Sequence, residues 1–181
     1  MLNIKTNTTI LLLVISSCLF GQIPTKFTGD ENFVQNSELL DSLLFDGIKL
    51  AKIDTFEFSF VPPKQYLKIN AQTFINYQTS SFIQVSEMKR VVYMLATQNI
   101  NAQTLEPQGV RFVKKENVIT YNNNEAILVY VENEIEGNTF ERMMLFTGDY
   151  TRTIWLSASY PKELSESIHK MLYDSLLSVK F

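Results

Sequence analysis

The sequence predicts an α+β fold, a three-layer α/β/α sandwich with a central antiparallel sheet. Three observations carry this expectation. Val110 to Tyr121, Glu125 to Ile135, Thr139 to Thr147 and Tyr150 to Ser159 read as strands, separated by Asn122-Asn123-Asn124, Glu136-Gly137-Asn138 and Gly148-Asp149. Within the second strand Ala126 to Val131 is continuously apolar, which in a strand calls for cover on both faces. After Pro161, the residues Leu164, Ile168, Met171, Leu172 and Leu176 recur at helical spacing, with Glu163, Glu166, Ser167, Lys170 and Asp174 opposite them, so an amphipathic helix supplies one covering layer.

In chain order the first element is an export leader, residues 1–21. Lys5 precedes an unbroken apolar run from Ile10 to Ile15, followed by Ser16-Ser17-Cys18-Leu19-Phe20 and a small residue, Gly21, at the exit; the run is too short to remain in a bilayer. Cleavage after Gly21 would release a secreted or periplasmic protein. Ile15-Ser16-Ser17-Cys18 alternatively resembles a lipobox, with Ser17 where Gly or Ala is usual, which would anchor the mature chain to the cell envelope through lipid on Cys18. Both readings place the protein outside the cytoplasm. Cys18 is the single cysteine, so an intramolecular disulfide is excluded.

Residues 22–46 form a polar spacer and a short helix, in which Ser37 caps Leu39, Leu40, Leu43 and Leu44 and Gly47 suits the C-terminal end. The main domain spans residues 47–181. Phe56, Phe58 and Phe60 alternate with polar residues as in a half-buried strand, which Pro62-Pro63 terminates. Two short strands, Phe74 to Tyr77 and Phe82 to Val85, join through Thr79-Ser80-Ser81. A helix is expected over Glu87 to Gln98, with Val91, Met94 and Leu95 inward, then a polar linker that turns at Pro107-Gln108-Gly109. At Gly148-Asp149 a two-residue type II′ loop would set Met143 opposite Ile154 and Arg142 opposite Trp155.

Composition excludes one class of function. The chain has 16 Lys plus Arg against 19 Asp plus Glu, and losing the leader removes only Lys5, so the mature surface is acidic and lacks the positive footprint that nucleic acid requires. No phosphate-binding glycine loop, zinc ligand set or calcium loop is present, and the expected cofactor, metal and catalytic residues are none. The one histidine, His169, lies one helical turn from Ser165 and from Tyr173, the spacing that brings side chains together. No nucleophile elbow accompanies it, so a flanking structural histidine is favoured over a base. Glu132, Glu134 and Glu136 alternate along one strand and read as a solvated edge rather than a cation site. Arg142 with Trp155 suggests a cation-π pair; an exposed Trp155 near Tyr130, Tyr150 and Arg152 would instead be a binding patch.

The F-x-F-x-F segment running into Val61-Pro62-Pro63, the mid-chain helix, the four-strand meander and the closing helix that ends Leu176-Leu177-Ser178-Val179-Lys180-Phe181 together resemble the PsbP-like fold, over roughly Thr55 to Phe181. That superfamily includes the extrinsic photosystem II subunit and DcrB-type envelope lipoproteins. The resemblance implies helices on both faces of an antiparallel sheet and a role in binding or assembly, with no catalytic residue to carry over. The function expected is that of an exported, non-catalytic envelope protein that binds or stabilises another envelope component. The alternatives are a secreted hydrolase using His169 and a carrier of a small apolar ligand.

Overall fold

The structure, a computed structural model, describes residues 56–181. The leader, Cys18, the polar spacer and the Ser37 to Gly47 helix lie outside the described residues.

Seven antiparallel strands make one sheet: β1 (Leu67–Asn70), β2 (Thr73–Asn76), β3 (Ser81–Lys89), β4 (Val110–Ile119), β5 (Glu125–Ile135), β6 (Asn138–Gly148) and β7 (Arg152–Pro161), in the spatial order β1-β2-β3-β7-β6-β5-β4. Three helices accompany it: α1 (Tyr93–Thr97), α2 (Ala102–Leu105) and α3 (Ser165–Leu177). The α+β class and the four-strand meander are as the sequence predicts. β5 has the expected bounds. At the next turn Glu136 and Gly137 both take positive φ, 51° and 80°, the type I′ geometry whose twist suits a two-residue hairpin.

Strand alternation divides the side chains between two faces. On the first, Ile83, Val85, Leu128, Met143, Leu145, Ile154 and Leu156 form the main core with Ile168, Leu172 and Leu176 of α3. The C-terminal stripe therefore docks as its periodicity requires. Each such side chain, fully buried, contributes roughly 1.5–3 kcal/mol. The opposite face carries Val129, Met144, Phe146 and Trp155, all buried. The segment holding α1 and α2 runs beside it: Thr153 Oγ1 donates to Val91 O at 2.7 Å, and Lys115 Nζ donates to the carbonyls of Thr97 and Ile100 at 3.1 and 3.3 Å.

The expected Phe56 to Phe60 strand does not join the sheet. Its side chains alternate as anticipated, half-buried against the core, with Phe60 edge-on to Phe74 at 5.1 Å. The backbone instead pairs at a single bridge, Ser59 with Lys180, and Val61 N–H donates to Ser178 Oγ at 2.7 Å. The C-terminal segment takes the place of a neighbouring strand.

The expected Glu87 to Gln98 helix is also corrected. β3 continues through Glu87, Met88 and Lys89, which pair with Ile154, Thr153 and Arg152, and the helix shrinks to α1. Glu87 is tolerated in the strand because Arg152 Nη1 lies 3.0 Å from its carboxylate. Arg152 also reaches Glu57 at 3.0 Å and Asp149 at 3.4 Å, joining the start of the domain to β3 and to the turn before β7.

Finally, the β6–β7 ladder is displaced from the expected register. Met143 faces Ala158, Arg142 faces Ser159 and Trp155 faces Phe146. The cause is a longer loop: Gly148 takes φ 143°, and the Asp149 carboxylate accepts from the Thr151 N–H at 2.7 Å and its hydroxyl at 2.6 Å, an Asx-type turn. Because the displacement is even, every side chain keeps its expected face.

Candidate functional site

Two places concentrate chemistry. The first surrounds His169, on the α3 face of the sheet. Helical spacing puts Ser165 and Tyr173 beside it, but the side chains take different partners. Ser165 Oγ donates to Glu141 Oε2 at 2.8 Å, whereas His169 Nδ1 lies 2.7 Å from the Tyr160 hydroxyl. Among the described residues no hydrogen bond links Ser165 to His169. The imidazole lies stacked on Tyr130 and Tyr173, at 6.2 and 6.3 Å between ring centroids. Burial, and then the carboxylate of Glu141, push the Tyr160 phenol far above its ordinary range; burial and Glu116 do the same at Tyr130. Both phenols stay protonated and act as hydrogen-bonding groups. The serine and histidine that the sequence brings together thus meet only through Tyr160, whose hydroxyl stands among His169, Glu141 and Ser165.

The glutamate row also resolves. β5 lies between β6 and β4 rather than at an edge, which corrects the solvated-edge reading. Glu132 is buried and ion-paired with Arg111 and, at 2.9 Å, with Lys162; the guanidinium lowers its pKa below the ordinary carboxylate value. Glu134 and Glu136 point to solvent. Among the described residues no group of three or more His, Cys, Asp or Glu is placed to hold a metal ion.

The aromatic patch is not assembled. Trp155 is 4% exposed, packed beside Phe146 at 6.4 Å, and Arg142 lies over Phe82 at 5.7 Å instead of over Trp155. Tyr130 belongs to the His169 cluster, and Tyr150 alone stands out, 90% exposed.

The second place arises from the corrected helix. Of α1, Ala96 and Thr97 are buried, and the apolar residues expected inward face out: Met94 is 56% and Leu95 66% exposed. A short helix closely applied to the sheet accommodates only small side chains beneath it. Between α1 and strands β4 and β5 lies a cleft of about 440 Å³, floored by Ile127 and by the strand backbone at Val118 and Ala126, whose side chains enter the core on the opposite face; Met94 and Ile119 are its apolar walls, and Asn117 adds a polar group. Ile119 is itself 56% exposed. Glu125 is the one charged residue of the lining; its Oε2 accepts a long hydrogen bond, 3.4 Å, from the Tyr93 hydroxyl. Burial, then the carboxylate, raise the Tyr93 phenol above its ordinary value. The sequence reading missed this site, because Met94 and Leu95 at helical spacing look like core. Glu125, placed at a strand end, carries no motif.

No family model matches the chain, and no curated protein matches it. Solved structures do. The solution structure of cyanobacterial PsbP (CyanoP) from Synechocystis sp. PCC 6803 is similar with a TM-score of 0.51 at 9% identity, covering 68% of this chain and 85% of that one. LpqN of Mycobacterium tuberculosis, described as involved in cell envelope biogenesis, is similar with a TM-score of 0.52 at 6% identity, covering 68% of this chain and 82% of that one. At such identities the likeness concerns the fold alone. With its antiparallel sheet and docked C-terminal helix, the described domain has the PsbP-like fold.

Proposed function

We propose that this is an exported, non-catalytic envelope protein that binds or stabilises another envelope component through the outward side of α1. One observation carries the reading: Met94 and Ile119 expose large apolar side chains at one cleft and Leu95 exposes another on the same helix α1, in a domain that buries apolar side chains on both faces of its sheet. Three further points support it. The leader directs the chain out of the cytoplasm. The Ser165 and His169 side chains engage Glu141 and Tyr160, not each other. LpqN, of similar fold, is described as involved in envelope biogenesis. The finer architecture belongs to this reading too: α3 covers one sheet face, α1 and α2 cover part of the other, and the gap in that second layer is where a partner sits.

In-cell photocrosslinking tests the proposal. A photoreactive residue at Leu95 should yield a discrete recurrent adduct, whereas one at Lys170, whose side chain is 86% exposed on α3, should not. Identical patterns from both positions would reject it.

The cleft favours a second reading, carriage of a small apolar ligand. Its volume, about 440 Å³, falls within the range of small-molecule sites.

A further inference from the structure

We propose that the cleft beside α1 takes an amphiphilic amine, its apolar body over Ile119 and Ile127 and its ammonium at Glu125. The inference rests on the ligand-carrying reading and adds the class of head group. The side chains that line it are mostly apolar: Ile127 below, Met94 and Ile119 beside, with Asn117 as the uncharged polar group. A hydrocarbon body is what such a surface removes from water. At the rim Glu125 supplies a carboxylate that has no ion-pair partner among the described residues, and its hydrogen bond from Tyr93 is long at 3.4 Å. An ammonium there would gain the carboxylate and, beside it, the Tyr93 hydroxyl oxygen as an acceptor.

An anionic head meets the opposite situation. The lining contains no lysine or arginine. Lys115, on the same sheet face, donates its ammonium to the carbonyls of Thr97 and Ile100. A carboxylate-headed chain would therefore face Glu125 without a compensating cation.

The test uses the purified full chain and three probes with one tail, dodecylammonium, dodecanol and dodecanoate, titrated calorimetrically below their aggregation concentrations. Because Glu125 is solvent-exposed, its preference for the amine over the carboxylate should be about fivefold. The Glu125→Gln variant, at an exposed position, should abolish that preference while still binding the tail. Met94→Asn, which makes the wall polar without adding a charge, should weaken all three probes. Vesicles of phosphatidylethanolamine are run in parallel: retention that depends on Glu125 assigns a membrane-borne amine, and monomer binding without retention assigns a free one. Equal binding of the three probes, or a preference that survives Glu125→Gln, overturns the amine assignment and leaves the ligand-carrying reading standing. Failure to bind any probe overturns both.

Discussion

The Tyr160 hydroxyl sits 2.7 Å from His169 Nδ1, so the chain's single histidine has one ring nitrogen engaged by a buried phenol. Replacing His169 by Ala removes that partner and the two stacking contacts with Tyr130 and Tyr173. A destabilisation of about 0.5–1.5 kcal/mol is expected, since one hydrogen bond of the Tyr160 hydroxyl is lost while Glu141 and Ser165 remain beside it. Tyr160→Phe in the His169→Ala background should then cost less than it does alone. Denaturant melts of the four proteins in this cycle check the coupling, and strict additivity would contradict it. Any hydrolytic activity found in a preparation should be unchanged by His169→Ala.

Leucines on α3 and α1 should behave oppositely. Leu172 is fully buried under the sheet, so Leu172→Ala is expected to cost about 2–5 kcal/mol. Leu95 faces solvent, and Leu95→Ala should stay within about 0.5 kcal/mol of the parent. Urea midpoints of both variants measure the contrast. A large loss at Leu95 would restore the inward-facing helix that its spacing suggests.

Gly148→Ala probes the corrected turn. Gly148 has φ 143°, and a Cβ there would collide with the carbonyl of Arg152. A loss of at least about 1–3 kcal/mol is expected from the backbone strain alone. A neutral substitution in thermal unfolding would contradict both the positive φ and the close approach to Arg152.

Acid should weaken the domain partly through Glu132. Its carboxylate is held below the ordinary value, first by the hydrogen bond from Arg111, whose Nε lies 3.1 Å away, and then by Lys162. A depressed folded-state pKa means that the unfolded chain binds the proton more readily. The contribution is therefore complete above about pH 4.3, the ordinary glutamate value, and disappears as pH falls through the lower folded value. Stability measured between pH 6 and 2 should show a shallower decline in Glu132→Gln than in the parent, and identical slopes would contradict the assignment.

Much of the fold was legible in the sequence, and the exceptions have physical causes. The apolar run of β5 and the Glu136-Gly137 turn state their structure locally, as does the α3 stripe. β1 did not, because Leu67–Asn70 is exposed throughout and lacks a buried face to write an alternation. The end of β3 was misread because Glu87, opposite Ile154, breaks the apolar pattern; its compensation by Arg152 comes from a strand 65 residues away. The β6–β7 register depended on Asp149 binding Thr151, a side-chain turn that a Gly-Asp dipeptide does not announce. At the candidate site the difficulty is different in kind. Met94 and Leu95 have the composition of core, and only the shortening of α1 turns them outward. Glu125 gains its meaning from Tyr93, which folding brings from 32 residues away.

Thiol accessibility at α1 tests the central claim most directly. On the export reading Cys18, the chain's single native cysteine, is either removed with the leader or capped by lipid, so Leu95→Cys in the otherwise native chain supplies the free thiol, labelled with a maleimide in the purified mature protein and in intact native envelopes. The account predicts rapid labelling of the purified protein and at least about tenfold slower labelling in the envelope, where a bound component covers the helix. Equal rates in the two settings would contradict it.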